Sequence, residues 1–188
     1  MGTYFKKSYK SPFPACNFHC QNKPVATDTL FFDTPAIESR VAAAQFFVGT
    51  EYMVCDVYPM KTDEPFVHVL QDNIRRRGAI SKLISGRAQV EISKKVQDIL
   101  RNYIIQDWQS EPHQQQQNAA EQWYQDTKRI ANTMLDCTDA PPLLWYLALK
   151  HACMILNLTA NASIGHAIPL QVLTGATPDL SPILQFDW

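Results

Sequence analysis

The chain reads as a mixed α/β domain, a five-stranded sheet with helices on both faces, and three observations predict it. Runs rich in β-branched and aromatic residues recur at 25–32, 43–49 and 52–58, near enough in sequence to form a meander. Beyond them, helical stripes alternate with short apolar segments. Two long helical patterns then close the domain, over 118–136 and from 139 onward. The order strand, strand, strand, helix, strand, helix, strand, helix, helix places a mixed sheet between helical layers.

The first strand, VATDTLFF at 25–32, carries Asp28 in its middle. Asp disfavours strands, and burying its charge is costly unless the carboxylate is paired or holds a metal. Asp28, Leu30 and Phe32 share one face and Asp33 the other. The plainer reading of Asp28 is a strand-edge residue capping a turn. The next two strands, AAQFFVG at 43–49 and YMVCDVY at 52–58, are joined through Gly49, Thr50 and Glu51, which suits a short hairpin, and Pro59 is expected to end the second.

A helix is expected over 62–78, with Thr62 or Asp63 as N-cap, Pro65 in its first turn, Phe66, Leu70 and Ile74 on one face, and Gly78 as its stop. Arg75, Arg76 and Arg77 near its end are a candidate phosphate-contacting patch, or simply complement the helix dipole on a solvated face. Residues 80–84 form the next strand, closed by Ser85 and Gly86. Ile92, Val96, Ile99, Leu100 and Tyr103 give a helical stripe, and Ile104 and Ile105 open the fifth strand. A Gln-rich loop at 109–118 leads to Asn118, a plausible N-cap. In the helix that follows, Ala120, Trp123, Thr127, Ile130 and Met134 face the core. Glu121, Gln125, Lys128 and Asn132 form a neighbouring polar stripe. That stripe is a solvated face by default, yet it aligns a carboxylate with a cation. Asp139 is placed to cap the last helix, with Pro141 and Pro142 in its first turn.

At 188 residues, 46% of them hydrophobic, the chain suits one globular domain with a sizeable core. A net charge of −1 gives no global drive toward nucleic acid, so binding there needs local patches. Five scattered cysteines, Cys16, Cys20, Cys55, Cys137 and Cys153, point to free thiols in a reducing compartment. Cys16, His19 and Cys20 invite a zinc reading, but a structural site needs a fourth ligand and no second pair lies nearby. The polar, Lys-rich start carries no secretory signal, and residues 141–156, broken by Lys150 and His151, are too short to span a membrane. A nuclear or cytoplasmic protein is expected, with no membrane partner. The Asn157-Leu-Thr and Asn161-Ala-Ser patterns then carry no sugar. The division is an extended basic arm at 1–24, a core at 25–165 and a tail at 166–188.

Several segments in order carry a resemblance: ATDT at 26–29, AQFFVG at 44–49, KLISGRAQVEIS at 82–93, SEPHQQQQNAAE at 110–121 and IPLQVLTGATPDLSPILQF at 168–186. Together the chain resembles the integrase core of copia-type LTR retrotransposons, of the RNase H-like superfamily. The resemblance implies an RNase H-like fold and a polynucleotidyl transferase site in which three carboxylates hold two divalent ions, Mg²⁺ or Mn²⁺, for cleavage and strand transfer of DNA. Asp28 matches the first carboxylate and Glu121 the third, thirty-five positions after Gly86, which stands where the central Asp belongs. Gly86 offers no side-chain ligand, so metal binding and catalysis are expected to be impaired unless Asp33, Asp56 or Glu91 compensates. Asp33 faces the wrong way by strand parity, and Glu91 comes five residues too late. Gln122 replaces the basic residue usual after the Glu, while Lys128 matches a DNA-contacting position. Nucleic-acid contact is expected from Gln125, Lys128, Arg129 and Arg75–Arg77, weak and salt-dependent, and copies of the chain are a further expected partner. The alternative is a non-catalytic nucleic-acid- or partner-binding remnant of a decayed element.

Overall fold

A computed structural model describes residues 21–60, 66–85, 93–109 and 119–180. The elements are β1 (Pro24–Phe31), β2 (Ala43–Gly49), β3 (Cys55–Met60), α1 (Phe66–Arg77), β4 (Lys82–Ser85), α2 (Lys94–Asn102), β5 (Gln106–Gln109), α3 (Ala119–Cys137), α4 (Trp145–Leu158) and α5 (Pro169–Thr174). The sheet order is β3-β2-β1-β4-β5, with β1, β2 and β3 antiparallel and β4 and β5 parallel to β1. The expected mixed five-stranded, RNase H-like architecture is what the chain adopts.

Side-chain alternation along the strands divides the core into two layers. On one face Ala26, Leu30, Phe46, Val48 and Val57 pack with α3 and α4. On the other Val25, Phe47 and Leu83 pack with Phe66 and Leu70 of α1 and Leu100 of α2. Both faces of the sheet are covered, so β1 and β2 bury consecutive residues rather than every second one.

Helix α4 also closes the sheet edge. The outward backbone groups of β3 would otherwise stand unpaired. Asn157 Oδ1 accepts from the Cys55 N–H at 2.8 Å, and its Nδ2 donates to the Cys55 carbonyl at 2.8 Å. Two residues along, the Tyr146 hydroxyl donates to the Val57 carbonyl at 3.4 Å. Asn157 is therefore buried and fully engaged, and in the folded chain its amide cannot carry a sugar.

Several local expectations are corrected. Pro59 lies inside β3, opposite Ala44, because on an edge strand its missing N–H costs no ladder bond. The β2–β3 connection spans residues 50–54, with Met53 at φ 58° and Gly49 N–H bonded to the Val54 carbonyl, so Tyr52 belongs to the loop. Asp139, with φ 51°, closes α3 instead of capping the next helix, since the Ala140 N–H returns to the Leu135 carbonyl. Pro142–Leu144 is a 3₁₀ turn before α4. The tail contains a short helix, α5, begun by Pro169 and ended at Gly175 with φ 73°. Residues 21 and 22, assigned to the arm, dock by backbone bonds to the Ala79 carbonyl. Gly78 does stop α1, with φ 103°. The expectations for Cys16, His19, Cys20, Thr62, Asp63, Pro65, Ile92 and Asn118 fall outside the described residues.

Ile104 does not open β5. It sits at φ 57° and is 80% exposed, while the Ile105 N–H bonds the Leu100 carbonyl to cap α2 and Ile105 enters the core. A β-branched residue in this left-handed position is strained. Ile104→Gly is expected to raise stability by about 0.5–1 kcal/mol, the relief of strain less the added freedom of the unfolded chain. Urea denaturation checks this, and an unchanged or lower midpoint counts against it. Asn157→Ala should act in the opposite direction. Two buried backbone groups of Cys55 lose their partner, at about 3 kcal/mol together, read as a fall in the same midpoint.

Candidate metal and nucleic-acid site

Asp28 sits in the central strand, opposite Phe46 of β2, with its side chain on the α3 face. The Thr29 N–H donates to its Oδ1 at 3.0 Å. Burial raises its pKa from 3.8 to about 6, the Thr29 bond opposes the shift, and the nearby Glu121 carboxylate pushes it further up. Glu121 lies in the first turn of α3 and is half-buried. The fold therefore brings together the two carboxylates that strand parity and helix position single out. Among the described residues no cation is paired with Asp28.

Helix α3 is held over β1 and β2 by Ala120, Tyr124, Thr127 and Ala131, all buried. Trp123, Ile130 and Met134, expected inside, pack at the flank of that row. Tyr124, absent from the expected core face, meets Phe46 at 6.0 Å between ring centroids. Burial and the Asp28 charge raise its pKa. The signal for Tyr124 was its place one turn after Ala120 and before Thr127, which the choice of Trp123 obscured. The exposed side of α3 carries Gln125, Lys128, Arg129 and Asn132. Lys128 Nζ lies 5.9 Å from the Tyr124 ring centre, and Arg129 pairs with Asp126 at 3.1 Å on the surface. The predicted stripe of Glu121, Gln125 and Lys128 is thus one accessible helix face beside Asp28.

The arginines near the end of α1 are elsewhere. Asp56 projects from β3 toward α1, on the sheet face opposite Asp28. Arg77 grips it with both arms, Nε to Oδ2 at 2.6 Å and Nη2 to Oδ1 at 2.7 Å, and Arg76 adds a contact at 3.5 Å. Asp56 is 7% exposed and Arg77 16%, so this pair belongs to the packing of α1 on the sheet. Breaking a buried pair of this kind costs about 3–5 kcal/mol. Arg75 is on the surface, beside Asp72. Asp33 is exposed in the turn after β1. Neither Asp33 nor Asp56 joins Asp28 and Glu121. Gly86 and Glu91 lie outside the described residues.

Two hard oxygen donors with excess negative charge fit a divalent cation of the Mg²⁺ or Mn²⁺ type, which takes one or two carboxylates and completes its shell with water and phosphate oxygens. No group of three or more His, Cys, Asp and Glu ligands occurs among the described residues.

Comparison of the whole fold decides the architecture. The chain matches a protein of the simian T-cell lymphotropic virus intasome in complex with the PP2A regulatory subunit B56 gamma, with TM-score 0.68 and 15% identity over 88% of this chain and 58% of that one. It matches the magnesium-bound HTLV-2 integrase catalytic core domain, with TM-score 0.62 and 16% identity over 84% of this chain and 98% of that one. The BIV integrase catalytic core gives TM-score 0.62 and 14% identity over 82% and 95%. The chain has the fold of a retroviral integrase catalytic core. It spans less than two-thirds of the intasome protein, yet nearly the full length of the isolated cores. No protein-family model and no curated protein sequence matches it. None of the described helices is long and apolar enough to cross a membrane.

The raised pKa of Asp28 makes a stability prediction. A carboxyl whose folded pKa is higher than its unfolded one stabilises the fold at low pH. That contribution is complete below about pH 4 and is lost as pH rises through about 6. At pH 7 the ionised Asp28 is a cost, and Asp28→Asn removes it while keeping an acceptor for Thr29. The variant is expected to be about 1–2 kcal/mol more stable than the parent at pH 7, after solvent screening, and equal to it near pH 4. Urea titrations at the two pH values check this. Equal effects at both would show that charge is not the cause.

Proposed function

We propose that the chain is the integrase core of a copia-type retrotransposon, with an ancestral role in metal-dependent DNA cleavage and strand transfer. In this chain that chemistry is impaired, and salt-dependent nucleic-acid binding is retained. The observation that carries the reading is the meeting of Asp28 and Glu121, from the centre of the sheet and the first turn of α3, in an RNase H-like fold. The copia assignment rests on the ordered sequence segments. The retroviral integrase cores of similar fold support the integrase-core architecture and not the copia assignment.

Asp28 and Glu121 are the residues that would hold a divalent ion, which when bound supplies positive charge to a reacting phosphate. Ionised Asp28 is costly in the free protein, so a cation beside it relieves strain already present. Lys128, held over Tyr124 on the same helix as Glu121, is placed to take a phosphate of bound DNA. Gln125 offers a neutral hydrogen-bonding contact between them. Arg129 is exposed on the same helix in a surface pair with Asp126, Arg75 is paired with Asp72 away from the site, and Arg77 is occupied by Asp56. Near-neutral net charge keeps the affinity modest and steeply salt-dependent. Self-association through copies of the core fits the same reading.

Impairment follows from charge. Two metals bring four positive charges, and Asp28 and Glu121 supply two negative ones, with Gly86 where the third carboxylate belongs. Loss of such a ligand costs about 4 kcal/mol or more of transition-state stabilisation. That deficit gives weight to a second reading, a non-catalytic nucleic-acid-binding remnant. Titration calorimetry with Mn²⁺ and a disintegration-type cleavage assay separate the two. Gly86→Asp is expected to tighten Mn²⁺ binding at least about tenfold, the scale of one added metal-fixing group, and Asp28→Asn to abolish binding. Any cleavage gained by Gly86→Asp supports the integrase reading. Strong cleavage by the parent chain, lost in Asp28→Asn, would show that another group replaces the missing carboxylate and overturn the impairment.

A further inference from the structure

The half of the sheet beyond β1 carries side chains that the proposed site does not use. In the parallel register Ile84 of β4 stands beside Ala26 of β1 on one side and Trp108 of β5 on the other. Ile84 packs with the core layer of α3 and α4, so Lys82, Ile84 and Trp108 share the sheet face of Asp28. The Lys82 ammonium lies over the Trp108 ring, 5.1 Å from its centre. Both side chains are half-buried. Helix α3 packs on β1 and β2 and α4 on β3, so β4 and β5 are the less covered half of this face among the described residues. Strand spacing and rise put Trp108 about 12 Å from Asp28.

We propose that Lys82 and Trp108 form a base-stacking platform for a single-stranded segment of the DNA held at the Asp28–Glu121 site. The inference rests on the nucleic-acid reading above and adds a contact surface to it. An indole presents a π face that any base can cover, and an ammonium beside it matches the phosphate of the same nucleotide. In the free protein the cation lies over the ring, and on binding it turns to the backbone. The edge strand around the pair is polar: Gln106 and Asp107 are exposed, and Asp107 accepts from the Gln109 side chain on the opposite face. This is poor ground for an apolar protein partner, and the Asp107 carboxylate, which would repel a nucleic-acid strand, belongs to the other face and not to that of Lys82 and Trp108.

The test is fluorescence anisotropy of the full chain at low salt, with a labelled oligothymidine and its abasic counterpart. Trp108→Leu is expected to weaken oligothymidine binding roughly 5- to 100-fold, the scale of one lost stacked base, and to leave the abasic strand unaffected. Trp108→Phe keeps a smaller aromatic face, and its affinity for oligothymidine falls between those of the parent and Trp108→Leu. Lys82→Gln lowers the salt slope by about 0.7, one phosphate contact on a single strand. Thermal melting confirms that each variant is folded, and Trp108→Phe against the parent serves as the readout if Trp108→Leu is not: a weaker affinity confined to the base-bearing strand supports the platform, and equal loss on both strands overturns it. If the parent binds and Trp108→Leu binds equally well, the platform falls and the nucleic-acid reading stands. If the parent binds neither strand at any salt, both fall.

Discussion

A carboxylate on the buried face of the central strand sets the conditions that the rest of this fold must meet. Asp28 can occupy that place only if β1 is fixed in register, because a slip of one residue would turn it to the other face. The register is secured directly behind it. Gln45 Nε2 donates to Thr27 Oγ1 at 2.7 Å, Thr29 Oγ1 donates to Gln45 Oε1 at 2.7 Å, and Thr27 Oγ1 donates to the Phe46 carbonyl at 2.9 Å. Gln45 and Thr27 are fully buried. Buried polar groups are costly unless they find one another, so this ladder specifies one pairing of β1 with β2 and disfavours its neighbours. The end of β1 is held separately, by Phe32 stacked on Trp145 at 3.6 Å and by the Trp145 indole donating to the Thr34 carbonyl at 2.8 Å.

The second carboxylate is placed by packing. Ala120 and Ala131 let α3 come close to the sheet, and Tyr124 docks against Phe46, the residue opposite Asp28. Glu121 is one turn from that contact, so the height and rotation of α3 set its approach to Asp28. Lys128, one turn further on, rests against the same tyrosine. The polar stripe thus inherits its geometry from an apolar row on the next face of the helix. A substitution in that row would disturb the site without touching it.

Much of this was legible because periodicity survives burial. The strands around Asp28 and the helix carrying Glu121 follow from spacing alone, whereas Asp33 lies past the end of β1, where strand parity no longer applies. The misreadings share one cause: tertiary context outweighed a local signal. Pro59 reads as a strand end until β3 proves to be an edge. Ile104 reads as strand by propensity, yet the cap of α2 and the burial of Ile105 force it into a left-handed turn. Asp139 reads as an N-cap, but the long helix α3 behind it needs a closing residue, and a short polar side chain tolerates the left-handed position. The Asp56–Arg77 pair was invisible because the partners belong to different elements, and only their packing brings them together.

Asp56 and Asp28 show how the same residue type, in two strands of one sheet, separates by role. Each faces a core layer, and each carries a charge that burial penalises. Asp56 meets that penalty with a two-armed guanidinium and a second arginine, and the result is a closed unit with no capacity for a further cation. Asp28 has one backbone N–H and, facing it, another carboxylate. A fold selected for stability alone would place an arginine there, as it does on the opposite side of the same sheet. The cost persists instead, between the central strand and the first turn of α3, and either a proton or an added cation would relieve it. That electrostatic imbalance, more than the presence of either acid, is what separates Asp28 from Asp56.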